Sequence, residues 1–586
     1  MANRAIIAHE RQPGWREERL GRVLDFFGVP WTSLEAGEWQ SNHSSGDEEA
    51  VFGSIRVVAS ILKSSQLGSG PRAPVFYAYL DDERDACIRA IELLLTMGNC
   101  SLREPPAEKL PICISATLTE LAGPMAGVRF SARLTADDPL LGLPGGGPNY
   151  EEIITAGKAP VFVRLQYGGA SVFLCSSSRM VDIQEPVTRG FYDVKEHFCC
   201  AVPLVMFVRS EFREVAWKPQ EHAACLIIDD PLLNLRYGFC DFPKLRDLMR
   251  EHRFTTNIAF IPWNCRRTSS VGAQFFRNES HHFSVSIHGC DHTAGEFGAS
   301  SVQFLHSTAR LAQSRMRDHE QQTGIHHDPI MVFPQGVFSS ICPGVLKYNG
   351  FLAAVNTEVV PVDTSNAQTR IGDAWDMAIT SYSDFPIFTR RYAFHGLENF
   401  AFDLLLGKPC LIVAHHDAFR DSGTSLLHLI QEINSLNCSV RWRLLGEAVR
   451  RSCRRRTRRD TLELQMYASE LTVNNETERP MNVEIRKKEM LKDAVCRISC
   501  EEGPVAWDFR TNQLVFTEKV PARSEKRFKV DYHEPTITNS PRRSFGFTLS
   551  VASRRFFSEF RDNCIAKSPL LTTVAQRMKS RLRSAT

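Results

Sequence analysis

Between residues 221 and 450 the chain alternates short apolar runs with longer amphipathic ones. That alternation constrains the fold more than any other feature. The runs 223–228, 255–260, 283–287, 330–333, 352–355 and 411–414 are four to six residues long. They are too short for helices; 223–228, 330–333, 352–355 and 411–414 are continuously apolar, as strands buried on both faces are, and 283–287 alternates with Phe283, Val285 and Ile287 on one face. Between them, 242–252 and 301–322 read as amphipathic helices. Strand, helix, strand in repeated order predicts a parallel sheet flanked by helices.

This region is only part of a chain of 586 residues, too long for one ordinary domain. At 43% hydrophobic and 23% charged residues, the composition excludes a disordered, collagen-like or coiled-coil chain. Residues 1–215 read as an N-terminal α/β domain of unknown role. A strand is expected at 4–8, a helix at 17–27, a strand at 75–80 and a helix at 83–97. A hairpin is expected around Gly168-Gly169, and the Gly/Pro-rich loop 142–147 punctuates the region. Residues 216–450 hold the alternating pattern. Residues 460–540 show short alternating runs at 462–467, 481–485, 514–516 and 527–530, expected to form a small β-sandwich. Residues 541–586 read as a basic helical tail, with Phe556, Phe557 and Phe560 on one side. It is expected to dock onto the body of the protein.

Charge is nearly balanced, at 70 basic against 67 acidic residues, which argues against a nucleic-acid partner. The local exception is the arginine cluster Arg450–Arg459. It reads as a solvated helix end or linker, with a weak contact to an anionic surface as the sharper alternative. The apolar run 5–8 is shorter than a signal-peptide core, and no stretch approaches the length of a transmembrane segment. The 17 cysteines are odd in number, scattered and without a Cys-x-x-Cys pair. They read as reduced, buried thiols. Together these features lead to the expectation of a cytoplasmic protein.

Four segments carry the chemistry, each at the C-terminal end of an expected strand. The first is Asp229-Asp230. Two adjacent carboxylates after a buried strand need a counter-charge, for which a metal is one candidate and a helix cap or turn the other reading. The second is His288-Gly289-Cys290-Asp291-His292. Histidines four apart converge on one ion if the segment is helical or tightly turned. The third is Val332-Phe333-Pro334-Gln335-Gly336, a strand running into a turn. The fourth is Ala414-His415-His416, where a strand-end histidine serves either as an acid or base or in a structural role.

The order Asp-Asp, His-x-x-x-His, Pro-x-Gly, strand-His resembles the polysaccharide deacetylase family, carbohydrate esterase family 4. The resemblance covers about 225 residues. It implies an α/β fold with a distorted (β/α) barrel and a site at the C-terminal strand ends. It further implies Asp229 as general base and His415 as general acid, with His416 competing for that role. Asp230, His288 and His292 would hold a divalent metal, usually zinc. Gly350-Phe351 matches a further element of the family, and Asp373, Trp375 and Asp376 echo its Asp/Trp element. The departures are Ile228, Pro231 and Val332; the last stands where the family has an arginine that pairs with the base.

The expected function is therefore that of a metal-dependent hydrolase removing an N-acetyl or related acyl group from a carbohydrate or glycoconjugate. Two alternatives stay open. One is a non-catalytic carbohydrate-binding descendant of the barrel, motivated by the lost arginine. The other is a glycoside hydrolase, which would require a second catalytic carboxylate. The N-terminal region faintly resembles a class I glutamine-amidotransferase-like domain, and the C-terminal β region an immunoglobulin-like module.

Overall fold

The computed structural model describes residues 1–39, 49–64, 74–144, 150–293, 295–363, 368–533 and 544–567. Part of the 142–147 loop, the end of the 460–540 region and residues 568–586 of the tail lie outside them. The chain is mixed α/β, and its central feature is a nearly closed, barrel-like parallel sheet.

Its strands are β1 (His222–Asp229), β2 (Thr256–Phe260), β3 (Phe283–His288), β4 (Ile330–Val332) and β5 (Ala353–Asn356), then β6 (Ile387–Thr389), β7 (Arg391–Tyr392), β8 (Cys410–Ala414) and β9 (Val440–Trp442). The spatial order is β6-β5-β4-β3-β2-β1-β8-β7, and β9 pairs with the start of β1. All of these pairings are parallel. The two ends of this order, β6 and β7, are consecutive in sequence and separated only by Arg390. The segment 387–392 thus pairs with β5 through its first part and with β8 through its last, and the chain through Arg390 links the two ends of the nearly closed sheet.

The first six apolar runs appear as strands within one or two residues of their expected bounds. Their side chains are buried on both faces, as at Cys225, Leu226, Ile227 and Ile228. Strands β6, β7 and β9 were not expected. At two or three residues they are too short to show a period, and burial within a closed sheet is what holds them.

The N-terminal region forms a nine-stranded mixed sheet. The expected elements occur at Arg4–His9, Trp15–Phe27, Val75–Tyr79 and Arg84–Leu95, and the hairpin joins Ala159–Tyr167 to Ala170–Cys175. The helix Phe198–Glu211 joins this sheet to the barrel. Every residue from Phe198 to Val208 is buried, so it is apolar all round, as a helix within a core must be. Phe207 meets Phe52, Tyr77 and Phe173 at centroid distances of 5.3, 5.2 and 5.3 Å. Among the described residues no helix is long and apolar enough to cross a membrane.

A six-stranded sheet, which takes in Lys218–Pro219 ahead of the barrel, and a four-stranded sheet beyond the barrel contribute to one apolar cluster around Leu464, Val483, Ile485, Phe516 and Phe528. The arginine cluster lies mostly inside the molecule rather than in a linker. Arg450 and Arg451 end a helix, and Cys453–Arg458 is a strand. Arg450 pairs with Asp328 and Glu470 at 2.8 and 2.6 Å. Arg454 lies over Phe26 and Arg456 over Trp217, each at 4.2 Å. Long arginine stems cover aromatic faces while their heads find carboxylates. That alternation of stem burial and charge pairing is invisible in a run of like charges.

Candidate active site

The four sequence segments meet at the C-terminal end of the barrel. Strand β1 delivers Asp229 inward, where it is buried at 3% exposure. Asp230 follows at the strand end with φ of 82°. A non-glycine residue held in that region is strained. The twist carries its carboxylate towards β3, where His288 ends the strand and His292 returns from a turn.

The Nε2 atoms of His292 and His288 stand 3.1 and 3.5 Å from Asp230 Oδ1. This buried oxygen nevertheless accepts no hydrogen bond of acceptable geometry. The His288 tautomer is fixed from behind. Its Nδ1 lies 3.0 Å from the Val332 carbonyl, which can only accept, so Nδ1 donates and Nε2 keeps its lone pair. Three lone-pair atoms, one from each residue, lie within 4.8 Å of one another. An oxygen without a proton donor, facing two imidazole nitrogens, fits a divalent cation of the zinc type. Burial opposes ionisation of Asp230, but hydrogen bonds and positive charge from the two imidazoles, in the form that carries the proton on Nε2, outweigh it and hold its carboxyl well below the usual range; a cation facing the same lone pairs acts in the same direction.

The histidine pair converges by a turn, not by a helix. Glu296 organises that turn, accepting from the backbone N–H groups of Cys290, Asp291 and His292 at 2.9, 3.0 and 3.2 Å. Gly289 (φ +65°) opens it. A Cβ there would stand 2.2 Å from Glu296 Oε1 and 2.4 Å from Pro334 Cγ. The Pro334-Gln335-Gly336 turn therefore forms the floor of the histidine turn, and Val332 contributes its carbonyl instead of its side chain. Gly289→Ala is expected to cost about 1–3 kcal/mol from backbone conformation alone and to weaken metal affinity. Thermal melting with and without added zinc checks both.

The arginine missing at residue 332 has a counterpart elsewhere. Arg390, at the seam of the ring, binds Asp229 with both terminal nitrogens at 2.7 Å each. Both side chains are 3% exposed. Burial would raise the Asp229 pKa, but Arg390, with help from His288 and His415, holds it below the ordinary value. Asp229 is thus an ionised carboxylate in a dry setting. The sequence did yield a clue: Thr389-Arg390-Arg391-Tyr392 follows an apolar run, and buried arginines require carboxylate partners. Arg391 has Asp403, at 2.6 Å.

The two histidines after β8 have different surroundings. The His415 ring lies parallel to Tyr392 at 6.1 Å, and its charge reaches Asp229. His416 turns away, 5.9 Å from Phe239, with Nε2 3.4 Å from Asp562 Oδ1. Asp562 also accepts from Tyr237 at 3.1 Å, and Asn563 accepts from the Gly238 N–H at 2.9 Å. Glu559 pairs with Arg267 at 2.5 Å. The expected tail docking therefore falls on the loops surrounding the site, contacts with no sequence signal. The Asp/Trp echo does not reach the site. Trp375 lies in the core beside Phe402, and Asp376 pairs with Arg454 at 3.2 Å.

No family model matches the chain, and no curated protein does. Among solved structures, the chain is similar to a family 4 carbohydrate esterase from Streptomyces lividans in complex with acetate. The identity is 15%, covering 36% of this chain and 85% of that one, with a TM-score of 0.21. A Streptococcus mutans CE4 esterase matches at 12% identity, over 38% and 86%, with a TM-score of 0.25. A peptidoglycan deacetylase from Bacillus subtilis matches at 12%, over 39% and 91%, with a TM-score of 0.23. At these values the likeness carries no argument about activity, which rests on the residues.

Proposed function

We propose that this protein is a metal-dependent hydrolase that removes an N-acetyl or related acyl group from a carbohydrate or glycoconjugate. The observation that carries the reading is the pair of adjacent carboxylates with opposite surroundings. Asp230 faces two imidazole nitrogens, while Asp229, one residue earlier, faces a guanidinium fork. One carboxylate is set up as a ligand and the other as a base.

Asp230, His288 and His292 would hold the divalent ion, which when bound supplies Lewis-acid polarisation of the acyl carbonyl. Both Asp229 oxygens accept from Arg390, so Asp229 takes the proton of the attacking water on a remaining lone pair of one of them. Arg390 keeps that carboxylate ionised and oriented until the transfer occurs. His415 follows β8, the strand paired directly with β1, so it stands beside Asp229 and delivers a proton to the departing amine. Tyr392 fixes its ring plane. The carbohydrate-binding, non-catalytic alternative drew on the absence of the arginine at 332 and on the flanking domains; Arg390 answers the first motive, and metal binding without acetate release would favour that alternative. For a glycoside hydrolase, the partner of Asp229 would have to be a second carboxylate across a cleft; Asp230 is instead turned to the histidines.

The test is release of acetate from acetylated amino-sugars. His415→Asn is expected to lower kcat by about 10²–10⁴-fold. His416→Asn, whose partner is Asp562, should change kcat by less than about tenfold. The reverse ranking would exchange their roles, and no acetate release from the wild-type protein across mono- and oligosaccharide substrates would overturn the reading.

A further inference from the structure

The helix Phe545–Phe560 is turned inside out. Its buried residues are Val551, Arg555 and Glu559, and Asp562 just beyond it is buried as well. Its outward face carries Phe545, Leu549, Phe556, Phe557 and Phe560, at 84, 57, 64, 66 and 47% exposure. At about 100° per residue, Phe545, Leu549, Phe556 and Phe560 fall within one stripe roughly 60° wide, with Phe557 on its flank. Its C-terminal half forms one aromatic cluster: Phe556 stacks on Phe560 at 6.4 Å and meets Phe557 edge-on at 5.7 Å. A contiguous aromatic surface of this kind marks an interaction site.

Charge identifies the partner. Residues 541–586 hold ten of the 70 basic residues and only two of the 67 acidic ones, so the other 540 residues are net −5. Both acidic residues face inward, Glu559 to Arg267 and Asp562 to His416. The outward charges of the described part, Arg554, Arg561 and Lys567, are all positive and exposed, Arg561 also pairing with Asp562 at 2.7 Å. Two copies meeting through this face would bring like charges together, whereas an anionic surface satisfies them.

We propose that the outer face of this helix docks on an anionic lipid bilayer, with the phenylalanines at the acyl boundary and the basic side chains on headgroup phosphates. The helix sits on the loops after β1, β2 and β8, so docking brings the C-terminal end of the barrel to the lipid. Phe394, 78% exposed after β7, lies at the same end. This inference is independent of the hydrolase reading.

The experiment is co-sedimentation of the full-length protein with vesicles of phosphatidylcholine, alone or with about 30 mol% phosphatidylglycerol. A variant carrying Phe556→Ser, Phe557→Ser and Phe560→Ser leaves the inward face untouched, and its thermal melt checks folding. The wild type is expected to partition about tenfold more to the anionic vesicles, less so at high salt, and the variant to fall to the neutral-vesicle level. Equal sedimentation of a folded variant, or no anionic binding by the wild type, would overturn the proposal. So would a wild-type dimer that the triple substitution dissolves without any vesicle binding, since a second copy would then be the occupant.

Discussion

Arg390→Ala is expected to destabilise the fold by about 3–5 kcal/mol, because it strands a buried carboxylate without its cation. It should also lower turnover by at least about two orders of magnitude. Burial already works against ionisation of Asp229, and Arg390 is the foremost influence that reverses it. Without the guanidinium, burial dominates and the carboxyl takes up a proton, so the base is lost. The pH dependence follows the same sign. In the wild type the folded pKa of Asp229 lies below its unfolded value of about 3.9, so its contribution is complete above that value and fades as pH falls through the depressed one. In the variant the remaining activity should move to higher pH. The double variant Asp229→Asn, Arg390→Met should regain part of the lost stability and none of the activity, a coupling that a double-mutant cycle measures. Denaturant unfolding and acetate release read out both effects. An Arg390→Ala protein with wild-type stability and pH profile would show that the pair is idle.

Asp229→Asn is expected to have the largest effect on turnover, a loss of about 10³-fold or more, while leaving the ligands in place. The amide keeps the shape of the side chain and one acceptor oxygen for Arg390, but it cannot accept a proton at the water. Metal content should stay at the wild-type level, because Asp230 and the two imidazoles are untouched. Stability should fall as well, by up to about 3–5 kcal/mol, because the neutral amide leaves the buried guanidinium without its counter-charge. If Asp229→Asn retained near-normal kcat, the base would have to be another group. Loss of metal together with turnover would make Asp229 a ligand instead.

Most of the barrel strands were legible in the sequence because 223–228, 330–333, 352–355 and 411–414 are continuous apolar runs, as burial on both faces requires, and 283–287 alternates. The grouping of Asp230, His288 and His292, the proposed ligands, was legible because Asp230 directly follows β1, His288 ends β3 and His292 comes four residues later. What could not be read were relations across the ring. Arg390 is 161 residues from Asp229, and it reaches the base only because β6 and β7 close the sheet. Those two strands have five residues between them and no period to detect. Glu296 was missed because its work is done on backbone N–H groups. The arginine cluster was misplaced for the opposite reason: a run of like charge looks solvated until its partners, Asp328, Glu470 and Glu463, are brought beside it. The docking of Asp562 on His416 depends on a segment whose composition advertises only charge and aromatics.

The measurement that bears most directly on the centre is the metal content of purified protein, by emission spectrometry after loading with zinc and removal of the excess. The wild type should hold about one ion per chain, and His288→Ala less than about a tenth of that, because a three-residue site does not survive loss of its most rigidly held imidazole. An unchanged stoichiometry in His288→Ala, or a wild-type protein that retains no ion, would contradict the account.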